Sequence, residues 1–348
     1  MQTVFVGLSG GVDSSTTAAL LKQQGYTVVG AYMKNWAQDI PGWECPWEQD
    51  FQDAKRVAVQ LGIEFHMFDF QIEYRDRVVQ YMIDTYERGE TPNPDIMCNQ
   101  EVKFKLFLDA ALEAGADKIA TGHYARTTNG QLLTAVDTWK DQTYFLYRVT
   151  ESALQKTLFP AGEFEKSKIR ELASEFGLVT AKKKDSQGIC FVGKVGIRDF
   201  LQQYVSASSG SIIDQHGAEI GEHDGAIFYT IGQRHGLGVG GGLPYYVTHK
   251  DMKKNIVYVT NNIQDQKLWS SSLILRSVHW INSPPRTNSG YEVRLRHQGQ
   301  LLPATLKQDH DTWSCELHDP VRAASPGQSV VVYEDNRVVG GGVLSEAQ

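Results

Sequence analysis

The stretch Val4-Phe5-Val6-Gly7-Leu8-Ser9-Gly10-Gly11-Val12-Asp13-Ser14-Ser15 decides the fold. Val4–Leu8 is a short apolar run of the kind that buried parallel strands show. A helical segment containing Ala18–Leu21 follows, so the glycines and serines between them form a strand-to-helix loop. Glycine lets a backbone approach a ligand closely, and a helix N-terminus offers unpaired N–H groups to an anion. The serine hydroxyls add donors. No Gly-Lys-Ser/Thr ending is present, so this is not a Walker loop and it carries no phosphate-binding lysine. The start of the chain has no basic n-region or cleavage site, so it reads as a first buried strand and not as a signal peptide.

Outward from that loop, strand and helix signals alternate for about 200 residues. Val28–Tyr32, Phe65–Phe68 and Ile119–Thr121 are further strand-like runs. Apolar residues repeat at three and four in Phe51/Ala54/Val57/Ala58/Leu61 and in Phe104/Phe107/Leu108/Ala111. Ile169/Leu172/Ala173/Phe176 is a third face, with Ser167 placed as its N-cap, and Ile197/Phe200/Leu201/Tyr204 a fourth. The series predicts an α/β domain with a doubly wound, mostly parallel sheet. After Ser206 helical periodicity stops. Tyr291, Val293 and Leu295 alternate with charged residues, and Val330–Tyr333 and Arg337–Val339 flank a hairpin turn at Glu334-Asp335-Asn336. Asn282–Gly290, with two prolines, reads as a connection. The expected division is 1–205 for the α/β domain, 206–270 for a small central β domain, and 271–348 for a C-terminal β-barrel-like domain.

Composition fits this. The chain has 348 residues, 41% hydrophobic and 22% charged, enough for two or three packed domains. No apolar run approaches the roughly 18 residues that span a bilayer. Four cysteines, none in a CxxC pair, make neither a disulfide framework nor a closed zinc site, so no metal ligands are assigned. A cytoplasmic setting is the expectation. Gly236-Leu237-Gly238-Val239-Gly240-Gly241 fits GxGxxG formally, but the strand-like Leu243–Val247 follows where a dinucleotide fold needs a helix, so it reads as a structural loop.

Two cysteines stand in loop contexts. Cys98, in Thr91-Pro92-Asn93-Pro94-Asp95-Ile96-Met97-Cys98-Asn99, is placed just ahead of a predicted helix, whose dipole would favour a thiolate; Asp95 is close enough to move a proton. Cys190, in Lys182-Lys183-Lys184-Asp185-Ser186-Gln187-Gly188-Ile189-Cys190-Phe191, has an electropositive surround. Each reads equally well as a buried small hydrophobe. Cys45 and Cys315 have no such surroundings and read as structural.

The loop Ser9–Ser15 resembles the PP-loop of N-type ATP pyrophosphatases, a HUP-like fold whose members cleave ATP between the α and β phosphates to adenylate a carbonyl oxygen. Taken together, GLSGGVDSS, TPNPDIMCNQEVKF, ATGHYAR, KDQTYFLY, KKKDSQGICFVG and YTIGQRHGLGVGG, with a weaker Ser325–Gln328 element, resemble the tRNA-specific 2-thiouridylases. The resemblance runs from Val4 to about Val259. It implies ATP-dependent thiolation of the wobble uridine of tRNA, with a cysteine persulfide supplying sulfur. On this sequence it implies ATP contacts from Gly7, Leu8, Ser9, Gly10, Gly11, Val12, Asp13 and Ser14, with Met33 and Gly122 on the adenosine side. Asp13 is suited to a magnesium-linked role. Cys98 matches the nucleophile and Cys190 the persulfide carrier, a pair able to close as a disulfide; Asp95 is the candidate general acid/base. Asn93, Pro94 and Asp95 match residues around the flipped base. His123, Lys140, Asp141, Gln142, Arg296, His297 and Gln328 match tRNA contacts. A sulfur-donor protein, Mg2+ with the ATP, and a monomeric state belong to the same expectation. Other readings are a PP-loop ligase using an amine, and a non-catalytic RNA-binding protein.

The formal charge of −7 divides into −5 for residues 1–200 and −2 for 201–348, so no domain is basic overall. Salt screens exposed charges beyond about 8 Å, so RNA would sense local patches. Lys182–Lys184, Lys250 with Lys253 and Lys254, and Arg294 with Arg296 are the candidates.

Overall fold

The computed structural model describes residues 1–39, 45–184, 196–240, 242 and 244–348; Cys190 lies outside them. β1 (Thr3–Gly7) leads through the glycine loop into α1 (Val12–Gln23), then β2 (Thr27–Lys34), α2 (Trp47–Leu61) and β3 (Glu64–Asp69). A long rod, α3 (71–87), contains a π-helical stretch at Arg75–Val79. A second rod, α4, runs from Pro94–Met97 through a π-helical Cys98–Leu106 to Phe107–Glu113. β4 (Lys118–Ala120), the hairpin β5 (Arg126–Thr128) and β6 (Gln131–Leu133), α5 (Glu151–Gln155), β7 (Thr157–Leu158), α6 (Lys166–Glu175) and α7 (Ile197–Leu201) complete this part.

The first sheet has the order β3-β2-β1-β4-β7, all parallel. β1 is buried on both faces, as its run of Val and Phe predicts. α2 buries Ala54, Val57 and Ala58 and stops at Gly62, whose φ of 60° lets Ile63 N–H return to the Ala58 carbonyl. Ser167 does not cap α6. Glu165 holds that position without a side-chain bond, and the Lys166 N–H is met instead by Asp137 Oδ2 from a distant loop at 3.0 Å. Tyr204 lies beyond the end of α7, though its ring still packs 4.8 Å from Phe200.

Two all-β units follow. β8 (Gly210–Ile213), β9 (Glu219–His223), β10 (Tyr246–Asp251) and β11 (Ile256–Thr260) form a four-stranded sheet. The glycine cluster ahead of β10 has no helix after it, which removes the dinucleotide reading. β12 (Trp269–Trp280), β13 (Gly290–Arg294), β14 (Leu302–Asp309), β15 (Thr312–Arg322), β16 (Ser329–Glu334) and β17 (Arg337–Ala347) close into an antiparallel barrel through the β12–β17 pairing. Asp335, at φ 55°, turns the expected β16–β17 hairpin.

The parts are joined where the chain enters α4. Thr91 N–H donates to the Pro326 carbonyl at 2.8 Å, and the Thr91 and Thr230 hydroxyls lie 3.0 Å apart. Glu90 accepts both arms of Arg276 from β12 at 2.7 and 2.5 Å. β6 pairs with β17, so the α/β part lends a hairpin to the barrel's sheet. The segment Thr91–Asp95 is thus held by all three units.

Candidate active site

In an open parallel sheet, ligands bind beyond the carboxyl ends of the strands where the strand order reverses. Here that point lies between β1 and β4, and it gathers Gly7–Ser14 after β1 with Thr121-Gly122-His123 after β4. Gly10, at φ 73°, makes the turn; a Cβ there would lie 2.5 Å from the Asp50 carbonyl at the start of α2. Gly11 is the N-cap of α1 and gives no side-chain cap. A Cβ on Gly122 would stand 2.6 Å from Ser14 N, so the end of β4 lies directly on the first turn of α1. A Cβ on Gly7 would stand 3.1 Å from Met33 Cε. The PP-loop residues, Met33 and Gly122 are therefore brought together.

Their roles divide by burial. Leu8 and Val12 are core side chains, 1% and 2% exposed, and have only backbone to offer. Ser15 is turned inward, its hydroxyl donating to the Gly11 carbonyl at 2.7 Å, and Ser14 Oγ accepts from Ser9 N–H at 3.2 Å. Ser9 is the exposed hydroxyl of the three. Asp13 is met by two groups that sequence reading missed. Lys166 Nζ donates to both carboxylate oxygens at 2.7 and 2.8 Å, and Tyr124 O–H donates to Oδ1 at 2.8 Å. Lys166 is 153 residues away along the chain, and no motif pointed to it.

Cys98 is not ahead of its helix. Pro94 takes the first helical position, where its missing N–H costs nothing and its φ is already helical, so α4 begins four residues before Cys98. Asp95 and Cys98 consequently stand three apart on the opening turns of one helix, on neighbouring rows. Cys98 is 4% exposed among apolar neighbours. Burial pushes the Asp95 carboxyl above its ordinary value, partly opposed by Lys103. Lys103 Nζ lies 3.5 Å from His123 Nε2, and His123 Nδ1 2.7 Å from Thr121 Oγ1. This line of groups connects α4 to the end of β4. Burial, and next Lys103, holds the His123 pKa well below its usual value, so the imidazole is neutral.

The expected tRNA contacts have uneven access. Asp141 is 4% exposed and accepts from Ala135 N–H at 2.7 Å and the Thr143 hydroxyl at 2.6 Å, a use inside the fold. Gln142 exchanges backbone and side-chain bonds with Tyr124 at 2.9 Å, and so supports the partner of Asp13. Lys140 follows Trp139, which is 71% exposed, an aromatic face of the kind on which unpaired bases stack. Gln298 Nε2 donates to the Trp139 carbonyl at 3.0 Å, tying that turn to the one carrying Arg296 and His297. Arg296 is exposed; the His297 ring lies tilted 4.6 Å from Phe145, and burial, then Arg294, lowers its pKa from the ordinary value. Gln328 sits in the Ser325–Gln328 turn that receives Thr91.

Several members of the candidate basic patches have partners within the fold, Arg296 among them through the Ala323 carbonyl at 2.8 Å. Lys183 pairs with Asp50 and Asp53 at 2.9 and 2.7 Å beside Gly10. Lys250 Nζ donates to the Tyr229 carbonyl at 2.6 Å, and burial lowers its pKa to about 8. Arg294 is 15% exposed and lies over the Tyr333 ring. A cavity of about 240 Å³ lies between α3, α4 and the barrel, and two of its three arginines, Arg88 and Arg276, pair with Glu90. Asn93 and Met97 line it with Arg88, Arg148 and Arg276.

Comparison with known proteins fixes the family. The family described as tRNA methyl transferase HUP domain matches residues 2–194, a tRNA methyl transferase PRC-barrel domain matches 198–261, and an aminomethyltransferase beta-barrel domain matches 270–344. A protein of Idiomarina loihiensis named tRNA-specific 2-thiouridylase MnmA is 45% identical over 356 residues, covering 99% of this chain and 96% of the relative. Its namesake from a bovine Staphylococcus aureus strain is 44% identical, covering 99% and 95%. This chain belongs to the tRNA-specific 2-thiouridylase family. Among solved structures, a 4-thiouridine synthetase–RNA complex with bound ATP matches at 18% identity and a TM-score of 0.40, covering 58% of this chain and 50% of that one. Within the 2-thiouridylase family, the sheet, switch point and barrel described above are the expected α/β and β architecture. No helix among the described residues is long and apolar enough to cross a membrane.

Proposed function

We propose that this protein thiolates C2 of the wobble uridine of tRNA at the expense of ATP, cleaved to AMP and pyrophosphate. The observation that carries this reading is the 44–45% identity across 99% of the chain to 2-thiouridylases. The switch-point loop supports it. An N-terminus of α1 without a side-chain cap, with Gly122 close-packed on its first turn, suits a polyphosphate. Asp13, 29% exposed, is a hard oxygen donor for the magnesium that accompanies ATP.

The chemistry runs in two stages. Uracil O2 bonds to the α-phosphorus while the bond to the bridging oxygen breaks, its electron pair leaving with pyrophosphate. The N3 proton is given up, with Asp95 as the acid/base group. The oxygen at C2 is then part of AMP, a good leaving group. A persulfide on Cys190 attacks C2 and AMP departs. Cys98 thiolate attacks the Cys190 sulfur, which leaves sulfur on the base and a Cys98–Cys190 disulfide. The base must leave its stack, at a cost of a few kcal/mol that is least in a single-stranded loop. Asn93–Asp95 on α4 flank that position, and Lys140, Gln142, Arg296, His297 and Gln328 support the surrounding RNA. We divide the chain at 1–205, 206–270 and 271–348. It works as a cytoplasmic monomer that receives sulfur from a donor protein.

Nucleoside mass spectrometry of tRNA from cells lacking the protein tests the reading: 2-thiouridine disappears, and full retention overturns it. Tests of purified protein for tRNA-dependent AMP release separate it from a non-catalytic RNA-binding protein.

Asp95 gives a second prediction. Its folded pKa is raised, so the native state binds more protons than the unfolded chain between the ordinary and the raised value, and stability falls as pH rises through that window. Above the window the cost is fully present. D95N removes it, and the variant therefore melts higher than wild type at pH 7 and equally at pH 3, while thiolation falls by roughly 10²–10⁴-fold. A variant less stable than wild type at pH 7 would show that the carboxylate is paid for by contacts worth more than its burial costs.

A further inference from the structure

We propose that the arginine-lined cavity between α3, α4 and the barrel is a phosphate subsite, holding the RNA backbone beside the wobble uridine, with Arg148 as its anchor. The inference rests on the tRNA-thiolating reading above and adds a binding site to it. Asn93 and Met97, four apart on α4, line the cavity, whereas Asp95 and Cys98 do not.

Charge does not balance there. Arg88, Arg148 and Arg276 line the cavity, and one carboxylate answers them. Glu90 takes both arms of Arg276 at 2.7 and 2.5 Å and lies 3.6 Å from Arg88. Arg148 has no carboxylate partner among the described residues. Its Nε donates to Gln100 Oε1 and its Nη1 to the Ser277 carbonyl at 2.7 Å, both neutral acceptors. Those bonds fix the guanidinium plane and leave Nη2 without a hydrogen bond among the described residues. Positive charge in excess inside a partly enclosed space is costly unless an anion answers it. Burial holds the Tyr81 phenol above its ordinary pKa, so it lines the same space as a neutral O–H donor.

The position selects the anion. Asn93 is the N-cap of α4, gives no side-chain cap, and with Asp95 flanks the base in the reading above. A nucleotide that leaves its stack carries its two flanking phosphates with it, so they come to lie beside the base. A guanidinium held in one plane offers a fork of donors that matches phosphate oxygens. The cavity also lies where the α/β part meets the barrel, with Arg148 contributed by one and Arg276 by the other. A phosphate seated there therefore touches both.

The test is a binding cycle on the full-length protein. Its probes are an anticodon stem–loop RNA and the same RNA with neutral methylphosphonates at the two phosphates flanking the wobble uridine. Wild type binds the neutralised RNA roughly tenfold more weakly, and R148Q binds the unmodified RNA weaker by a similar factor. R148Q then distinguishes the two RNAs by less than about twofold, because the lost charges belong to one contact. The salt dependence of R148Q is shallower by about 0.7 in log–log slope. Losses that multiply, or a neutralised RNA that wild type binds as well as the unmodified one, overturn the proposal. So does binding of inorganic phosphate that R148Q abolishes while the RNA losses multiply, since the site then serves free phosphate. If R148Q does not melt cooperatively, R88Q replaces it, and multiplying losses there overturn the proposal equally. Failure of wild type to bind the stem–loop overturns the proposal; binding without formation of 2-thiouridine sinks the functional reading and leaves the cycle to judge Arg148.

Discussion

C98S makes no 2-thiouridine, a loss of roughly 10³-fold or more, yet still releases AMP in the presence of tRNA. The two outcomes separate because, on the mechanism proposed above, adenylation uses the PP-loop, Asp95 and the base, and sulfur release alone uses a thiolate at position 98. Serine is close to isosteric, but at 4% exposure its hydroxyl is a poorer fit to apolar neighbours, so a destabilisation of about 1–3 kcal/mol is expected. A thermal melt beside the AMP assay removes that ambiguity. C190S behaves likewise in thiolation. A further consequence distinguishes the two-cysteine route from direct delivery of sulfide. On the proposed route each cycle leaves a Cys98–Cys190 disulfide that must be reduced, so wild type without a thiol reductant is expected to stop after one turnover per persulfide loaded. Continued thiolation by C98S, or turnover without reductant, would show that the second cysteine is not needed.

The parts of this site that were legible in the sequence are those written in local pattern. β1 and its loop could be placed because a parallel central strand is apolar on both faces and the glycines fall at its end. The β16–β17 hairpin could be placed because Asp335 and Asn336 are turn residues between two apolar runs. What local pattern does not carry is the long-range pairing that completes the expected architecture. Barrel closure depends on β12 meeting β17, with Leu275 opposite Leu344, and nothing local encodes that partner. Lys166 and Asp13 meet only because α6 packs beside α1.

Facing is the other thing local pattern left out. The Lys140–Gln142 motif supplies three polar residues without marking which way each points. The fold turns Asp141 inward to cap a turn and Gln142 toward Tyr124, leaving exposed Trp139 on the outside. The same holds for Lys183, Lys250 and Arg294, which read as surface charge and are committed to carboxylates, a carbonyl and a ring. Cys98 was misplaced for a different reason. Pro94 takes the first helical position, so the helix starts ahead of Cys98 instead of after it.

G122A weakens ATP binding more than tenfold and cuts tRNA-dependent AMP formation by about 10²-fold, with the fold retained. The added methyl would lie 2.6 Å from Ser14 N, 2.9 Å from the Asp13 carbonyl carbon and 3.0 Å from Ser14 Cα. All three are backbone atoms in the first turn of a buried helix, so no side chain can swing aside to relieve the contact. Relief requires that the end of β4 move off α1 or that the first turn of α1 tilt. Either motion displaces N–H groups whose value to a polyphosphate depends on their common aim. Overpacking of this kind costs about 1–3 kcal/mol, which the β1–β4 pairing through Ile119 and Ala120 can absorb. G290A is the control, because a Cβ there meets nothing within 4 Å; it leaves ATP affinity unchanged and stability within about 0.5 kcal/mol. The comparison places the cost in geometry and not in the loss of a glycine. A G122A protein that binds ATP within twofold of wild type would mean that the first turn of α1 does not hold the phosphates, and the nucleotide would have to be sought elsewhere along the switch-point crevice.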